Sequence, residues 1–242
     1  MIKYSEFARK CSSNAVYPLS IAEGFQNGEI ILDDEENTRA VLFWHYAGFA
    51  YLSGDLSREF LEKIYHNFYQ EETERRFILI TDNPEVTDFF SDKSEVGFNN
   101  RIEYRFGSEI EGVCKCNYKI ERINPENYDI IQGRIVPSFS WADKEQFLKN
   151  GFGYVVVDGN KVAAVAFSAA ISSDEVDIGV ETDEQYRHKG LARALAATMC
   201  REILAAGKKP VWAHAVTNEG SRHTALSAGF VEDRRNTVIF KN

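Results

Sequence analysis

The sequence predicts a mixed α/β protein, and three observations carry that reading. Strand-length apolar runs alternate with amphipathic stretches of helical spacing along the chain. Turn signals such as Asn27-Gly28 and Asp158-Gly159-Asn160 punctuate them. Residues 107–127 combine mixed polarity with Gly107, Gly112 and Asn124-Pro125, which places a boundary near residue 120. The expected organisation is a smaller α/β domain over 1–120 and a second domain over 121–242, in which helices flank a mixed β-sheet. A chain of 242 residues can bury about 70 % of its unfolded surface without staples.

Along the first part, Asn27-Gly28 and the acidic turn Asp33–Asn37 bracket strands over Glu29–Leu32 and Ala40–Trp44. Phe49–Leu52 is a third strand. Phe60, Leu61, Ile64, Tyr65 and Phe68 then define an amphipathic helix with Ser57 as its cap. Phe77–Ile80 is a buried strand, and Asn83-Pro84 opens a short helix. In the second part, Phe139–Asn150 is helical, with Gly151 as the glycine that ends it. Tyr154–Val157 and Lys161–Ser168 form a hairpin. Val176, Ile178 and Val180 alternate with Asp177, Gly179 and Glu181 in a half-buried strand. A helix follows from Gly190 to about Ala206, striped by Leu191, Leu195, Met199 and Ile203 and stopped by Gly207. Pro210–Thr217 is a strand, Ser221–Ala228 a short helix and Thr237–Phe240 a terminal strand.

Composition narrows the functional classes. Net charge is −9 and uneven: residues 1–120 hold 13 Lys+Arg against 21 Asp+Glu, and residues 121–242 hold 15 against 16. An acidic chain argues against nucleic acid as partner and suits an acceptor that is cationic when free, although the same acidity serves solubility. No apolar run reaches the 18 residues of a spanning helix, and the start lacks a secretory segment, so no membrane partner is expected. Four scattered cysteines, Cys11, Cys114, Cys116 and Cys200, do not make a disulfide framework, and a reducing cytoplasm is the expected compartment. Cys114-x-Cys116 is not a zinc spacing, and no metal site is expected. Cys200 reads as packing.

The informative stretch runs from Asp177 to Ala192. A strand enters a short loop, and the loop enters a long helix at Arg187-His188-Lys189-Gly190-Leu191-Ala192. A helix N-terminus presents unpaired N–H groups and the positive end of its dipole, so this junction is an anion site. Gly190 and Ala192 admit a bulky diphosphate close to the backbone, and Arg187 and Lys189 add charge. Downstream stand Pro210-Val211-Trp212, Asn218-Glu219-Gly220-Ser221 and Gly229-Phe230.

On these motifs, over roughly residues 150–240, the chain resembles the GNAT superfamily of acyl-CoA-dependent N-acetyltransferases. It is nearest in pattern to the zwittermicin-A-resistance-type branch, with His188 in place of a small loop residue. The resemblance implies a GNAT fold in the C-terminal half and acetyl-CoA as co-substrate. Backbone groups at Val180, Glu181 and Thr182 would bond the pantetheine arm. Arg187, His188, Lys189, Gly190, Leu191 and Ala192 would cradle the pyrophosphate, Asn218 would contact the cofactor, and Ser221 would cap the helix beyond it. The N-terminal half would be a degenerate relative of the same fold.

Acetyl transfer to an amine needs help with protons, because a lysine-like amine is only about 0.04 % neutral at pH 7. Asp177 and Glu181 share one strand face and are the candidate bases; the plainer reading is a solvated face. The N–H near Val180 is the expected oxyanion donor. Many family members carry a Tyr four residues before the Gly-aromatic pair, where Ala225 stands here. Ser221 and His223 are then the nearest candidate acids, unless water serves. His214 reads as a polar or satisfied core residue, and Trp212 as core. The leading expectation is an N-acetyltransferase acting on a small-molecule amine or an exposed amino group. A non-catalytic acyl-CoA-binding module and an enzyme using another acyl donor are the alternatives.

Overall fold

The computed structural model describes residues 2–11, 15–107 and 118–242. The chain opens with helices α1 (Ser5–Arg9) and α2 (Val16–Ala22), neither anticipated from the sequence. Every residue of α2 is buried, so it carries no polar face and no helical periodicity to read. A meander of β1 (Gly28–Leu32), β2 (Ala40–His45) and β3 (Phe49–Gly54) follows. Helix α3 (Arg58–Tyr65) is capped as expected, the Phe60 N–H donating to Ser57 Oγ at 3.1 Å. A π-helical turn, His66–Gln70, extends it and buries Phe68 and Tyr69. Then come β4 (Ile78–Thr81), α4 (Pro84–Ser91), capped by Asn83, and β5 (Val96–Phe106).

The second stretch contains β6 (Ile120–Arg122), α5 (Pro125–Tyr128), a 3₁₀ turn at Pro137–Phe139 and α6 (Lys144–Asn150). It continues with β7 (Gly153–Asp158), β8 (Lys161–Ile171), β9 (Glu175–Thr182), α7 (Leu191–Ala205), β10 (Lys209–Ala215), α8 (Glu219–Ser227) and β11 (Phe230–Lys241). The helix expected over 139–150 starts only at Lys144. Fully buried Trp141 turns the chain before it, its Nε1–H donating to Ser168 O at 2.7 Å. Gly151 is not left-handed (φ −102°); it is required for space, since a Cβ there would lie 2.7 Å from the Trp141 ring. Cys114 and Cys116 lie outside the described residues.

Among the described residues the strands form one mixed sheet in the order β1-β2-β3-β4-β11-β5-β10-β9-β8-β7-β6. The fold class is the mixed α/β sheet flanked by helices that the sequence predicts. The order β1-β2-β3-α3-β4-α4-β5 recurs as β7-β8-β9-α7-β10-α8-β11, with parallel pairing at β3–β4 and again at β9–β10. The last strands are exchanged: β11 pairs with β4, β5 pairs with β10, and β5 and β11 pair with each other over eleven registered positions.

Helix α7 buries Leu191, Leu195, Met199 and Ile203 against the β7–β10 part of the sheet, in one core with Phe167, Val176 and Ile178. On the N-terminal part, α3 and the π turn cover Leu42, Trp44 and Leu79. Helix α2 contacts β1 and β2 and also β8 and β9, so the sheet curves around it. Gln26 fastens this arrangement, donating to Ser140 O and Ala169 O and accepting from Ile171 N–H.

Candidate functional site

The site begins with a split between two strands. β9 and β10 pair only at Glu175–Asp177 with Lys209–Val211; beyond that, Ile178–Thr182 has no β10 partner. The opening leads into a cleft of about 1400 Å³. Asp177, Val180, Glu181, Thr182, Arg187, His188, Gly190, Leu191, Ala192, Asn218, Ser221 and His223 all line it. Of the residues singled out from the sequence for this site, Lys189 does not; its ammonium lies 4.6 Å from the Tyr186 ring centroid.

The loop at the mouth is anchored from both sides. Lys161 pairs with Asp183 at 2.8 Å, and Tyr186 Oη donates to Asp158 at 2.8 Å. His188 (φ 62°) and Gly190 (φ 76°) are both left-handed, and Lys189 between them is not. Left-handed residues alternating in this way are a feature of backbone nests, which bind anions through successive N–H groups. Gly190 is the N-cap of α7 and no side chain caps the helix, so its first N–H groups remain available. A Cβ at Gly190 would meet nothing within 4 Å; the space above the backbone is open. Arg193, which also lines the cleft, adds a charge not anticipated from the sequence. Exposed backbone donors, open volume and cationic side chains fit the pyrophosphate of CoA.

Deeper in the cleft, Asp177 is 3 % exposed, and its Oδ2 accepts from Tyr17 Oη at 2.8 Å. Burial, with the Asp177 charge, holds the Tyr17 phenol well above its ordinary range, so it stays a donor. Glu181 accepts from the backbone N–H of Ile135 at 2.7 Å and of Arg134 at 3.3 Å, which ties the 134–135 backbone to β9.

The opposite wall is β10 and α8. Trp212 is 3 % exposed, core as expected, and its Nε1–H donates to Ser221 Oγ at 3.0 Å. The helix cap is Asn218, whose Oδ1 accepts from Ser221 N–H at 3.0 Å; Ser221 sits one turn inside and keeps its hydroxyl proton for another partner. His223 is exposed at the rim. His214 is a satisfied core residue: one ring nitrogen meets Ala215 O at 2.8 Å and the other Tyr104 Oη at 3.1 Å, and burial lowers its pKa. Ala225 is fully buried in the core. Cys200 is packing, its thiol pushed up to about 12 by burial.

Sequence reasoning missed Tyr17, Arg76, Arg101 and Arg134, which line the cleft from outside the motif region. Their elements are α2, the residue before β4's apolar run, β5 and a loop. Only Arg101 left a trace, a charge alternating with Ile102, Glu103 and Tyr104 in a strand-like run.

The GNAT acetyltransferase family model matches residues 7–239. An uncharacterized N-acetyltransferase of Bacillus subtilis (strain 168), YdfB, is 21 % identical over 225 residues, covering 88 % of this chain and 85 % of that one. A GCN5-related N-acetyltransferase-like protein from Streptococcus suis superposes with a TM-score of 0.78 at 23 % identity, with all of both chains covered. A GCN5-related N-acetyltransferase from Kribbella flavida gives 0.63 at 13 % identity, covering 95 % of this chain and 96 % of that one.

Proposed function

We propose that this chain, which belongs to the GNAT acetyltransferase family, moves the acetyl group of acetyl-CoA to the amine of a small molecule. The observation that carries the reading is the β9–β10 split running from the Gly190 nest down to buried Asp177. The Tyr186–Ala192 motif supports placing the chain in the zwittermicin-A-resistance-type branch. The matching order of elements in the two stretches supports reading residues 1–120 as a degenerate copy of the fold in 121–242.

In this reading the N–H groups of the nest and the start of α7 hold the pyrophosphate, with Arg187 and Arg193 adding charge. Unpaired backbone groups of Val180–Thr182 bond the pantetheine arm as an added strand would. The acceptor approaches from the Tyr17 side. Asp177, oriented by the Tyr17 phenol, takes a proton from the ammonium, directly or through water. The freed amine nitrogen forms a bond to the thioester carbonyl carbon while the C–S bond breaks, and the Val180 N–H steadies the oxygen. The amide loses one further proton and the thiolate gains one, from the Ser221 hydroxyl, His223 or water. The products are an N-acetyl amide, CoA and one released proton. Glu181, engaged by Arg134 and Ile135, is the weaker base candidate and holds the cleft wall.

The test is steady-state CoA release from acetyl-CoA with a panel of amines, alongside calorimetric binding of CoA. Release that depends on amine supports transfer. Tight acetyl-CoA binding with no amine acetylated would favour the binding-module reading, which the alanine at position 225 also supports.

A further inference from the structure

Arg76, Arg101 and Arg134 line the same cleft as Asp177. Arg101 is 9 % exposed, and its Nε has no hydrogen-bond partner. The Arg101 guanidinium lies 4.6 Å from the Phe49 ring centroid, and that of Arg76 lies 5.2 Å from the same ring and 4.8 Å from Phe139. Arg76 Nε donates to Ala47 O at 2.7 Å, which fixes that side chain. Aromatic rings thus flank both guanidinium groups. The carboxylates that line the cleft are Asp177, Glu181 and Glu219, none from the first 120 residues. Burial lowers the pKa of Arg76, and the charges of Arg101 and Arg134 act in the same direction against that of Tyr17. At Arg101, Tyr51, Tyr17, Asp177 and Glu103 outweigh the burial that would lower it.

Arg101 has Asp177 and Glu103 as counter-charges. The charges acting on Arg76, in contrast, include no carboxylate, and a cation so placed at a cavity is stabilised by an anion that enters it. Guanidinium forks favour planar or tetrahedral oxyanions, which they bind through two parallel N–H bonds. We infer that the acceptor is a small amine that also carries an oxyanion, a carboxylate or a phosphate, held by Arg76 with Arg134 at the rim. Its ammonium meets Asp177 while its oxyanion meets the arginines, so the site recognises a zwitterion. The net positive charge expected of the acceptor from the acidity of the sequence is replaced by charge of both signs on one molecule. This inference rests on the acetyl-transfer reading and names its substrate class.

The test uses matched acceptors in the CoA-release assay: α-amino acids against their carboxamides, and phosphoethanolamine against ethanolamine. Removing the carboxylate lowers the pKa of the neighbouring amine, so the carboxamide is the readier nucleophile and a carboxylate preference must come from the protein. Wild type should favour the oxyanion member of one series by at least 30-fold in kcat/KM, and the series that does so identifies the oxyanion. Arg76→Gln should shrink that ratio below threefold with acetyl-CoA affinity unchanged. Arg134→Gln, at an exposed position that does not threaten folding, should reduce it three- to tenfold. Equal acetylation of both members would overturn the inference and leave acetyl transfer standing. If no amine is acetylated, transfer itself fails, and calorimetry with N-acetyl amino acids and their amides decides the inference separately. Carboxylate-dependent binding lost in Arg76→Gln would support it, and absent or equal binding would overturn it.

Discussion

Tyr17 and Asp177 are 160 residues apart in the chain and share a buried hydrogen bond of 2.8 Å at the base of the cleft. The phenol comes from the first stretch and the carboxylate from the second, so the geometry at the base of the cleft depends on both. Asp177→Asn keeps the shape and removes the proton acceptor; it should lower kcat at least 100-fold with acetyl-CoA affinity within threefold. Tyr17→Phe should cost about tenfold, because it disorients the carboxylate without removing it. Steady-state kinetics of both variants check this, and an unchanged kcat for Asp177→Asn would remove it as the base.

At the nest, Gly190→Gln and Gly190→Glu share bulk and the left-handed strain of about 1–2 kcal/mol. They differ in charge alone. CoA should bind the Glu variant at least tenfold more weakly than the Gln variant by calorimetric titration, since the carboxylate faces the pyrophosphate. Equal affinities would place the phosphates elsewhere.

On the α8 wall, Ser221→Ala and His223→Ala separate two ways of reprotonating the thiolate. A loss of 100-fold or more in kcat for one of them marks it as the acid; losses under tenfold for both assign the step to water. Ser221→Ala also leaves the Trp212 Nε1–H without its acceptor, so unfolding should be measured beside kcat.

A phenol cannot be restored simply by substitution at Ala225. The residue lies on the inner face of α8 and is fully buried in the core. Ala225→Tyr should destabilise the fold by about 1–3 kcal/mol or more through overpacking, measured by urea unfolding, and should not raise kcat. A gain in kcat would show that the helix can rotate to admit the ring.

His45 sets an acid limit on stability. It is completely buried, its Nδ1 accepts from Ala47 N–H at 3.0 Å, and burial depresses its pKa to about 3. Between pH 6.5 and 3 the unfolded chain therefore binds a proton that the folded chain refuses. The stability is fully present above pH 6.5 and is lost as pH falls, at up to about 1.4 kcal/mol per pH unit. His45→Asn, which can keep the acceptor, should flatten this slope in urea midpoints measured from pH 7.5 to 4.5. An unchanged slope would assign the acid sensitivity to other groups.

The loop between β9 and α7 was legible because glycine, basic residues and a strand–helix junction sit within one short segment, and local geometry follows from local sequence there. The same holds for the Ser57 and Asn83 caps. Helix α2 was invisible because it is buried on every side, and β5 and most of β11 because their exposed polar residues interrupt the alternation. Strand β11 has a run of exposed residues from Val231 to Arg235, and backbone pairing to β5 holds it in the sheet. Of the arginines that line the cleft, Arg76 and Arg134 left no signal in the sequence. Tertiary packing brings them to the same cleft as Asp177, and no sequence spacing records that packing.

The exchanged strands impose an order on synthesis. Strand β4 leaves the ribosome with one edge open, and the strand that closes it, β11, is made about 150 residues later. Until then the nascent chain presents unpaired backbone on β4 and β5, the kind of edge that templates association with other chains. Closure joins positions remote in sequence, which makes it a slow step. The acidic surplus of the first 120 residues then has a use before any substrate arrives, because like-charged nascent chains repel one another while those edges wait.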